Sequence, residues 1–378
     1  MNNNSGTVRT SKVITIAGAF IAFLIGSGFA TGQEVLQYFS SYGYWGIAGA
    51  ILTLFLLIYV GVSFLKVGEK EKFKKGSDIY TYYCGNALGK FFDYFSTLFC
   101  FLSFTVMVSG AGATLNQHYG WPVFVGGILI SILALFTVIM GLNRIVEIIG
   151  KIGPAIVVIS IVLGVVSILS NYQNLAPEYV STQLAAVAER GDLLTASSNW
   201  VFASFSYVGF CMLWLAAFLA AAGANTLSQK EAALGGFFGA FGFSLAVVVV
   251  ALGLLACIDI VAGSQIPMLY LAGNIHPGLA SIFSIVIMMG IYTTSVPLLW
   301  NVSARFTQDG SAQFKGLTAV LAVIGMVIGL YLPFDRLVNI VYVINGYVGV
   351  ILLLIMFIRS VKAISKRKSE EQHAHTPT

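Results

Sequence analysis

The first long apolar stretch of the chain carries residues that a simple membrane helix does not require. In "LIGSGFATGQEV" (24–35), Gly26, Gly28 and Gly32 lie within seven residues. Glycine tolerates unwound backbone, whose freed N–H groups can hold a carboxylate at the start of the next half-helix and whose freed carbonyls can hold a cation. The glycines alone are equally compatible with close helix packing. Polar neighbours favour a functional break: Ser27, Thr31, Gln33 and Glu34.

Glu34 is an ionisable residue inside an apolar span, and such a residue indicates a functional site by default. Three roles remain open for its carboxylate: an outer gate, a partner for a substrate amine, or a proton carrier. The alternative is a position in a water-filled vestibule, where solvent hydrates the carboxylate.

Two further stretches carry polar residues within apolar helices. "MGIYTTSVP" offers Thr293, Thr294 and Ser295 as adjacent hydroxyls, which either serve a cation or bond back to carbonyls of their own helix near a proline. "NWVFASFSYVGFCMLW" (199–214) is interrupted by serines, a tyrosine and a glycine, and we predict a second break there. Paired broken helices in two halves of a chain indicate an inverted-repeat transporter with a site at the membrane midplane.

The elements that carry these residues are membrane helices. The chain has 378 residues, 58% hydrophobic and 9% charged, whereas a typical soluble domain has about 25% charged residues. The run 48–65 has no charge and approaches the ~20 residues that cross a bilayer. No cleavable signal is evident, and the scattered four cysteines and four histidines predict neither a disulfide nor a metal cluster. We expect an all-α polytopic membrane protein.

Hydropathy predicts ten transmembrane helices. Their expected ranges are 13–40, 43–66, 91–116, 121–141, 145–170, 198–225, 231–259, 278–305, 316–332 and 335–360. Segments 171–197 and 260–277 are expected to be surface loops with short helices. We predict that the chain consists of an N-terminal tail (1–12), a transporter domain (13–360) and a disordered polar C-terminal tail (361–378). The transporter domain contains two repeats, at about 13–170 and 198–360.

The basic residues predict the orientation. With the N-terminus inside, 18 of the 20 lysines and arginines fall on the inner side, and only Arg190 and Arg336 fall outside. We therefore expect a protein of the cell membrane with both termini cytoplasmic. The formal charge of +5 reflects this topology, and a nucleic-acid partner is not expected.

The chain resembles the amino acid–polyamine–cation superfamily, whose LeuT-type fold is a five-plus-five inverted repeat. "IGSGF" (25–29) is similar to the G-S-G break in the first helix of its amino-acid transporters. "RIVEIIGKIGP" (144–154) resembles the start of helix 5 in bacterial branched-chain amino acid–sodium symporters. The nearest resemblance is to a poorly characterised group of bacterial membrane proteins of this length.

The resemblance implies roles for individual residues. Backbone N–H groups of Ser27, Gly28 and Phe29 would bind a substrate carboxylate. The sixth helix would supply carbonyls for an ammonium group, and its pocket residues would be Phe202, Ser204, Ser206, Tyr207 and Phe210. For the aromatic members, lipid contact or core packing is the alternative. No lysine or arginine lies mid-membrane near either stretch, which favours a compact neutral amino acid or amine over an anionic substrate.

The same resemblance implies a sodium site. Carbonyls of Ala22 and Ile25 would join either Gly290, Thr293 and Thr294, or Ile291, Thr294 and Ser295. Some proton-coupled relatives place a helix-5 lysine where the sodium would lie. Lys151 sits early in the fifth span, which favours an anchor at the inner surface and leaves proton coupling open.

These patterns favour a secondary symporter for a small amino acid or amine, with Na⁺ as the coupling ion and no other cofactor. No nucleotide-binding loop, metal set or soluble domain indicates an enzyme. The alternatives are a ligand-sensing subunit of the germinant-receptor type, a proton-coupled transporter of the same fold, and a passive channel. Substrate identity and oligomeric state remain open.

Overall fold

The computed structural model of the protein describes residues 8–264, 266–331 and 334–374, and every regular element within them is helical. The elements are α1 (Thr10–Thr31), α2 (Gln33–Tyr38), α3 (Gly43–Glu71), α4 (Asp78–Tyr119), α5 (Val123–Val138), α6 (Leu142–Ser170), α7 (Pro177–Glu189), α8 (Trp200–Ala224), α9 (Gln229–Leu255), α10 (Ile258–Val261), α11 (Pro267–Ile275), α12 (Pro277–Phe306), α13 (Ala312–Tyr331), α14 (Phe334–Leu337) and α15 (Val343–Ala374). A π-helical segment, Val338–Tyr342, joins α14 to α15.

The helices confirm an all-α polytopic membrane protein. Nine helical stretches in the described part of the chain are long and apolar enough to cross a membrane. The one remaining predicted span, 121–141, corresponds to α5, which has only 16 residues. At 1.5 Å per residue it covers about 24 Å, less than the ~30 Å hydrocarbon core. The predicted short helices in the two long loops are α7 and α11.

Helix α1 lies at the centre of the bundle because small residues let its neighbours approach closely. It packs against α6, α9 and α12, and every residue from Ile16 to Thr31 is buried. A Cβ added at Gly18 would lie 2.0 Å from the carbonyl oxygen of Gly150 on α6. A Cβ added at Gly153 would lie 2.3 Å from the carbonyl oxygen of Gly18. The glycines of the 144–154 stretch therefore bring α6 against α1, as small residues do in membrane bundles.

The predicted break in the first span is confirmed. Gly26 has φ 49° and ψ −176°, which interrupts α1 between two helical pieces. Gly32, with φ 83°, then separates α1 from α2. Both positions need the left-handed backbone that glycine adopts without a Cβ clash. The first span therefore changes direction at Gly26 and again at Gly32. Its last part is α2, which carries Glu34.

The predicted break in the sixth span is wrong. Helix α8 is continuous from Trp200 to Ala224. Its glycine and serines serve helix packing: a Cβ at Gly209 would lie 2.1 Å from the Gly346 oxygen on α15, and Ser206 also faces Gly346. Ser204 donates to the Trp200 carbonyl of its own helix at 2.7 Å. Small and polar residues that close a helix contact resemble those that break a helix, so the sequence alone did not separate the two.

Other irregular positions occur where no break was predicted. Gly85 in α4 has φ 73° and ψ −175°, and α12 contains Pro297. Because proline lacks an N–H, Pro297 leaves the carbonyl of Thr293 without its usual partner in the helix. The last span includes the π-helical segment defined above.

The ends of the chain differ from the expected tails. Helix α1 begins at Thr10, inside the expected tail 1–12. Helix α15 continues to Ala374, so residues 361–374 are helical and the prediction of disorder there is wrong. This segment is rich in lysine, arginine, glutamate, glutamine and alanine, which are strong helix formers, and it directly continues a membrane helix that supplies the nucleus. Residues 375–378 lie outside the described residues.

Candidate functional site

The break at Gly26 is bonded to two other helices. The Gly26 N–H donates to Thr294 Oγ1 on α12 at 2.8 Å, and the Ser27 N–H donates to Met107 Sδ on α4 at 3.2 Å. Both groups are fully buried. The indole of Trp214 on α8 lies 3.7 Å from the position of a Cβ at Gly26. The unwound backbone therefore meets α4, α8 and α12 at one place.

Two hydroxyls of α12 face carbonyls of α1 just before the break. Thr294 Oγ1 lies 3.0 Å from the Ala22 oxygen and 2.8 Å from the Phe23 oxygen. Thr293 Oγ1 lies 3.0 Å from the oxygens of both Ala22 and Gly290. These hard oxygen atoms are the kind that bind alkali cations. We call Ala22, Phe23, Gly290, Thr293 and Thr294 the hydroxyl–carbonyl cluster.

The structure favours the first of the two registers predicted for α12. Ser295 Oγ donates to the Ile291 carbonyl of its own helix at 2.7 Å, which is the back-bonding common in membrane helices. Gly290 instead packs against α1, because a Cβ there would lie 2.7 Å from Ile25 Cγ2. Ile25 is buried beside the cluster. Thr293 and Thr294, rather than Ser295, therefore face the first helix.

Glu34 folds back from α2 over the second part of α1. Its Oε1 accepts a hydrogen bond of 2.7 Å from the Tyr207 hydroxyl on α8. Its Oε2 is buried and has no hydrogen-bond partner among the described residues. A Cβ on Gly28 would lie only 2.2 Å from this Oε2. The side chain is 0% exposed, which favours a buried role for the carboxylate over a position in a water-filled vestibule.

Aromatic rings pack together near Glu34 and the break. Phe210 lies 4.9 Å from Tyr207, 5.3 Å from Trp214 and 5.1 Å from Tyr342, measured between ring centroids. Tyr38 of α2 lies 5.3 Å from Tyr207. All five rings are buried. We call Tyr38, Tyr207, Phe210, Trp214 and Tyr342 the aromatic cluster.

Some predicted site residues lie elsewhere. Phe202 is 55% exposed near the start of α8, because it lies on the helix face opposite the bundle core. Ser204 and Ser206 are buried but face Gly49 and Gly346 respectively. Phe29 is buried against Phe243 of α9, with ring centroids 5.2 Å apart. None of these side chains is hydrogen-bonded to Glu34 in the described part of the chain.

Lys151 does not reach the hydroxyl–carbonyl cluster. Its side chain is 75% exposed and pairs with Glu147 one turn away at 3.5 Å. This position agrees with the surface anchor that its place in the sequence favours, and it gives no support to a proton-handling role at the ion position. Glycines rather than the lysine of this stretch face α1, because only they fit the close helix contact.

Sequence reasoning missed four residues of the site: Met107, Trp214, Tyr342 and Tyr38. Trp214 follows Tyr207 and Phe210 at helical spacing, so one face of α8 carries all three. That spacing was a usable signal. Met107 and Tyr342 come from distant helices, and no local pattern distinguishes them from other apolar residues. Trp214 is held by a hydrogen bond from Nε1 to Ser103 Oγ at 2.9 Å.

A cavity of about 140 Å³ lies next to α2. Gln33 and Gln37 line it, together with Asp192, Leu194 and Gly263. Glu34 is the chain neighbour of Gln33 on α2, but it does not itself line this cavity.

Comparison with known sequences finds distant relatives. No protein-family model matches the chain. It is 21% identical over 336 residues to the uncharacterized membrane protein YkvI of Bacillus subtilis (strain 168), spanning 88% of this chain and 92% of the relative. It is 25% identical over 346 residues to the uncharacterized protein YyaD of the same organism, spanning 89% and 93%.

Comparison with solved structures supports the fold. MhsT in complex with L-phenylalanine has a TM-score of 0.64 at 16% identity, covering 92% of this chain and 89% of MhsT. Mhp1, a nucleobase-cation-symport-1 family transporter with bromovinylhydantoin bound, has a TM-score of 0.56 at 13% identity, covering 90% and 78%. A variant of the Eremococcus coleocola manganese transporter has a TM-score of 0.51 at 15% identity, covering 98% and 77%. At such low sequence identities the likeness shows the fold alone.

Proposed function

We propose that the chain is a secondary active transporter that couples sodium to the symport of a small neutral amino acid or related amine by alternating access. The observation that supports this most is the meeting of three features at Gly26. These are an unwound backbone, the hydroxyl–carbonyl cluster on one side, and a buried carboxylate with aromatic rings on the other.

The hydroxyl–carbonyl cluster brings together oxygen atoms of the kind that bind sodium. Two hydroxyls share the Ala22 carbonyl, and Pro297 leaves the Thr293 carbonyl without a helical partner. A cation accepted by these oxygens would satisfy all of them, with the Ile25 carbonyl completing the set. The hydroxyl protons would then turn to other acceptors.

The other side of the break fits an α-amino group. The unpaired Oε2 of Glu34 can accept a hydrogen bond from an ammonium, and aromatic faces further stabilise a cation. The Ser27 N–H donates only to a thioether sulfur, which is a weak acceptor. A substrate carboxylate oxygen would therefore replace it readily. A sodium ion nearby would balance the negative charge of Glu34.

Proton coupling is the second candidate, and one observation favours it. Glu34 is buried without a basic partner among the described residues, an environment that stabilises a neutral carboxylic acid. In this alternative Glu34 carries the proton, and the hydroxyls of α12 only pack.

Uptake into proteoliposomes tests the proposal. Radiolabelled neutral amino acids and primary amines, first ranked by thermal-shift screening with and without sodium, are offered under an imposed sodium gradient or an imposed proton gradient. We expect accumulation with sodium alone. Accumulation with protons alone would support the second candidate. Binding without accumulation under either gradient would indicate a sensor of the germinant-receptor type, and sodium-independent equilibration would indicate a channel.

We expect Gly28→Ala to reduce uptake by about tenfold or more, since overpacking a tight contact costs roughly 1–3 kcal/mol. The added methyl would displace the Glu34 carboxylate from Tyr207. Gly316→Ala is the matched control, because a Cβ there has no described atom within 4 Å. Uptake and membrane yield are measured together. Normal uptake in Gly28→Ala would contradict the placement of substrate beside Glu34.

The proposed orientation in the cell membrane places both termini in the cytoplasm. In a Cys84→Ser background, where the remaining cysteines are buried, cysteines introduced by Glu189→Cys and Lys74→Cys occupy exposed positions. An impermeant thiol reagent added to intact cells should label the first and not the second. The reverse pattern would overturn the orientation.

A further inference from the structure

A second cavity lies between the last turns of α3, the start of α4 and the middle of α15. It has a volume of about 580 Å³, within the range of small-ligand sites. Its polar lining includes Lys66, Arg359 and Lys362 with the hydroxyls of Ser63 and Ser360. We call this cavity the basic pocket. It is separate from the site around Gly26.

The basic pocket concentrates positive charge. Three of its lining residues are cationic, and none of the described lining residues is acidic. The nearest glutamates of α3 already have basic neighbours: Glu69 lies 3.7 Å from Lys72 and Glu71 lies 3.1 Å from Lys70. Among the side chains that the structure describes, no carboxylate pairs with Lys66, Arg359 or Lys362, which leaves their charge for a bound anion.

Arg359 is fixed in place over the pocket. Its guanidinium lies 5.8 Å from the centre of the Tyr82 ring and donates to the Tyr82 carbonyl. A guanidinium has five N–H donors, so several remain to bind phosphate oxygens. Ser360, which is hydrogen-bonded to Tyr59 at 2.7 Å, adds a hydroxyl at the same edge.

The surface beside the pocket is apolar and faces outward. Phe357 and Ile358 are exposed on α15 in the turn before Arg359, and Phe55 is exposed on α3 two turns before Ser63. The ring of Tyr59 packs against that of Phe357, with the ring centroids 6.4 Å apart. A ligand that fits both parts has an anionic head and hydrocarbon chains. A free anion would use only the basic part.

We propose that the basic pocket binds the phosphate headgroup of an anionic phospholipid, with the acyl chains lying along Phe55, Phe357 and Ile358. Clustered basic residues at the cytoplasmic ends of membrane helices attract anionic lipid in this way. Helix α15 packs against α8 through Gly346 and Gly209. The lipid would therefore contact a helix that packs against α8, which carries Tyr207 of the proposed transport site.

The test uses the purified full chain in nanodiscs of equal parts phosphatidylglycerol and phosphatidylcholine. Lipid retained after gentle detergent extraction is measured by native mass spectrometry. The pocket variant combines Lys66→Gln, Arg359→Gln and Lys362→Gln. The matched control combines Lys74→Gln, Lys90→Gln and Lys315→Gln, which remove the same charge from exposed positions.

We expect wild type and control to retain phosphatidylglycerol, and the pocket variant to bind it about 100-fold more weakly, from the usual contribution of three basic residues near a membrane surface. Equal loss in both variants would overturn the proposal in favour of a general charge effect. Displacement of the lipid by millimolar inorganic phosphate would likewise overturn it in favour of a free-anion site.

A second measurement needs no variant. Photoactivatable phosphatidylglycerol in wild-type nanodiscs should crosslink to peptides that contain 55–67 and 354–362. Crosslinks spread evenly over the lipid-facing helices would also overturn the assignment, even if the pocket variant fails to fold.

Discussion

Replacing Glu34 by glutamine is expected to reduce sodium-driven uptake by about 100-fold, because removing one member of a buried hydrogen-bonded charge pair costs roughly 2–5 kcal/mol. Glutamine keeps the shape and can still accept the bond from Tyr207. It removes the negative charge of the carboxylate, which we propose binds the substrate ammonium. The measurement is initial uptake at several substrate concentrations, which separates lost affinity from lost turnover.

Two tyrosines provide matched controls for this variant. Tyr207→Phe removes the bond to Glu34 and should weaken uptake by about tenfold, as expected for a hydrogen bond to a charged group. Tyr119→Phe removes a hydroxyl that is hydrogen-bonded to Ser284 on α12 at 3.0 Å, outside the site, and it should change uptake little. Wild-type kinetics in Glu34→Gln would refute the role of Glu34 as ammonium partner.

Glu34→Gln also separates the two coupling ions. If Glu34 carries the coupling proton, the variant should lose proton-driven accumulation while still exchanging substrate across the membrane. If sodium is the coupling ion, exchange and accumulation should fall together, because both require the bound substrate.

Replacing Thr294 by valine is expected to raise the sodium concentration for half-maximal uptake by about tenfold or more. Valine is nearly isosteric, but it removes the Oγ1 that lies between the Gly26 N–H and the carbonyls of Ala22 and Phe23. Losing one buried polar partner costs about 1–3 kcal/mol, and each 1.4 kcal/mol is a factor of ten in affinity. Sodium titration of uptake measures the shift.

Ser295→Ala is the matched control, because that hydroxyl bonds only within α12 among the described residues and should leave the sodium titration unchanged. Substrate binding at low sodium should weaken in Thr294→Val as well, since the two affinities are linked reciprocally. An unchanged titration in a folded Thr294→Val protein, or full wild-type uptake in sodium-free buffer with a proton gradient, would reject the ion assignment.

The sequence by itself determined the membrane architecture and the break in the first helix. Long apolar runs with few charges leave a chain only the option of helices whose backbone bonds are satisfied internally. The closely spaced glycines of the first span, among polar neighbours, mark unwound backbone because only glycine adopts φ near 50° or 80° without strain, as Gly26 and Gly32 do. The hydroxyl pair of α12 was also visible in the sequence, because adjacent hydroxyl residues stand out in an apolar helix.

Tertiary structure decided which of these residues meet. Gly209 and Ser206 carry the same local signal as a helix break, and only the approach of Gly346 on α15 shows that they close a packing contact. Thr294 and Ser295 are neighbours in sequence, but the rotation of α12 against α1 directs one to the carbonyls and leaves the other in its own helix. Glu34 gains Tyr207, and the break gains Met107, across long sequence separations. Such partners are set by how helices cross, because helix faces present similar apolar residues and only packing in three dimensions selects among them.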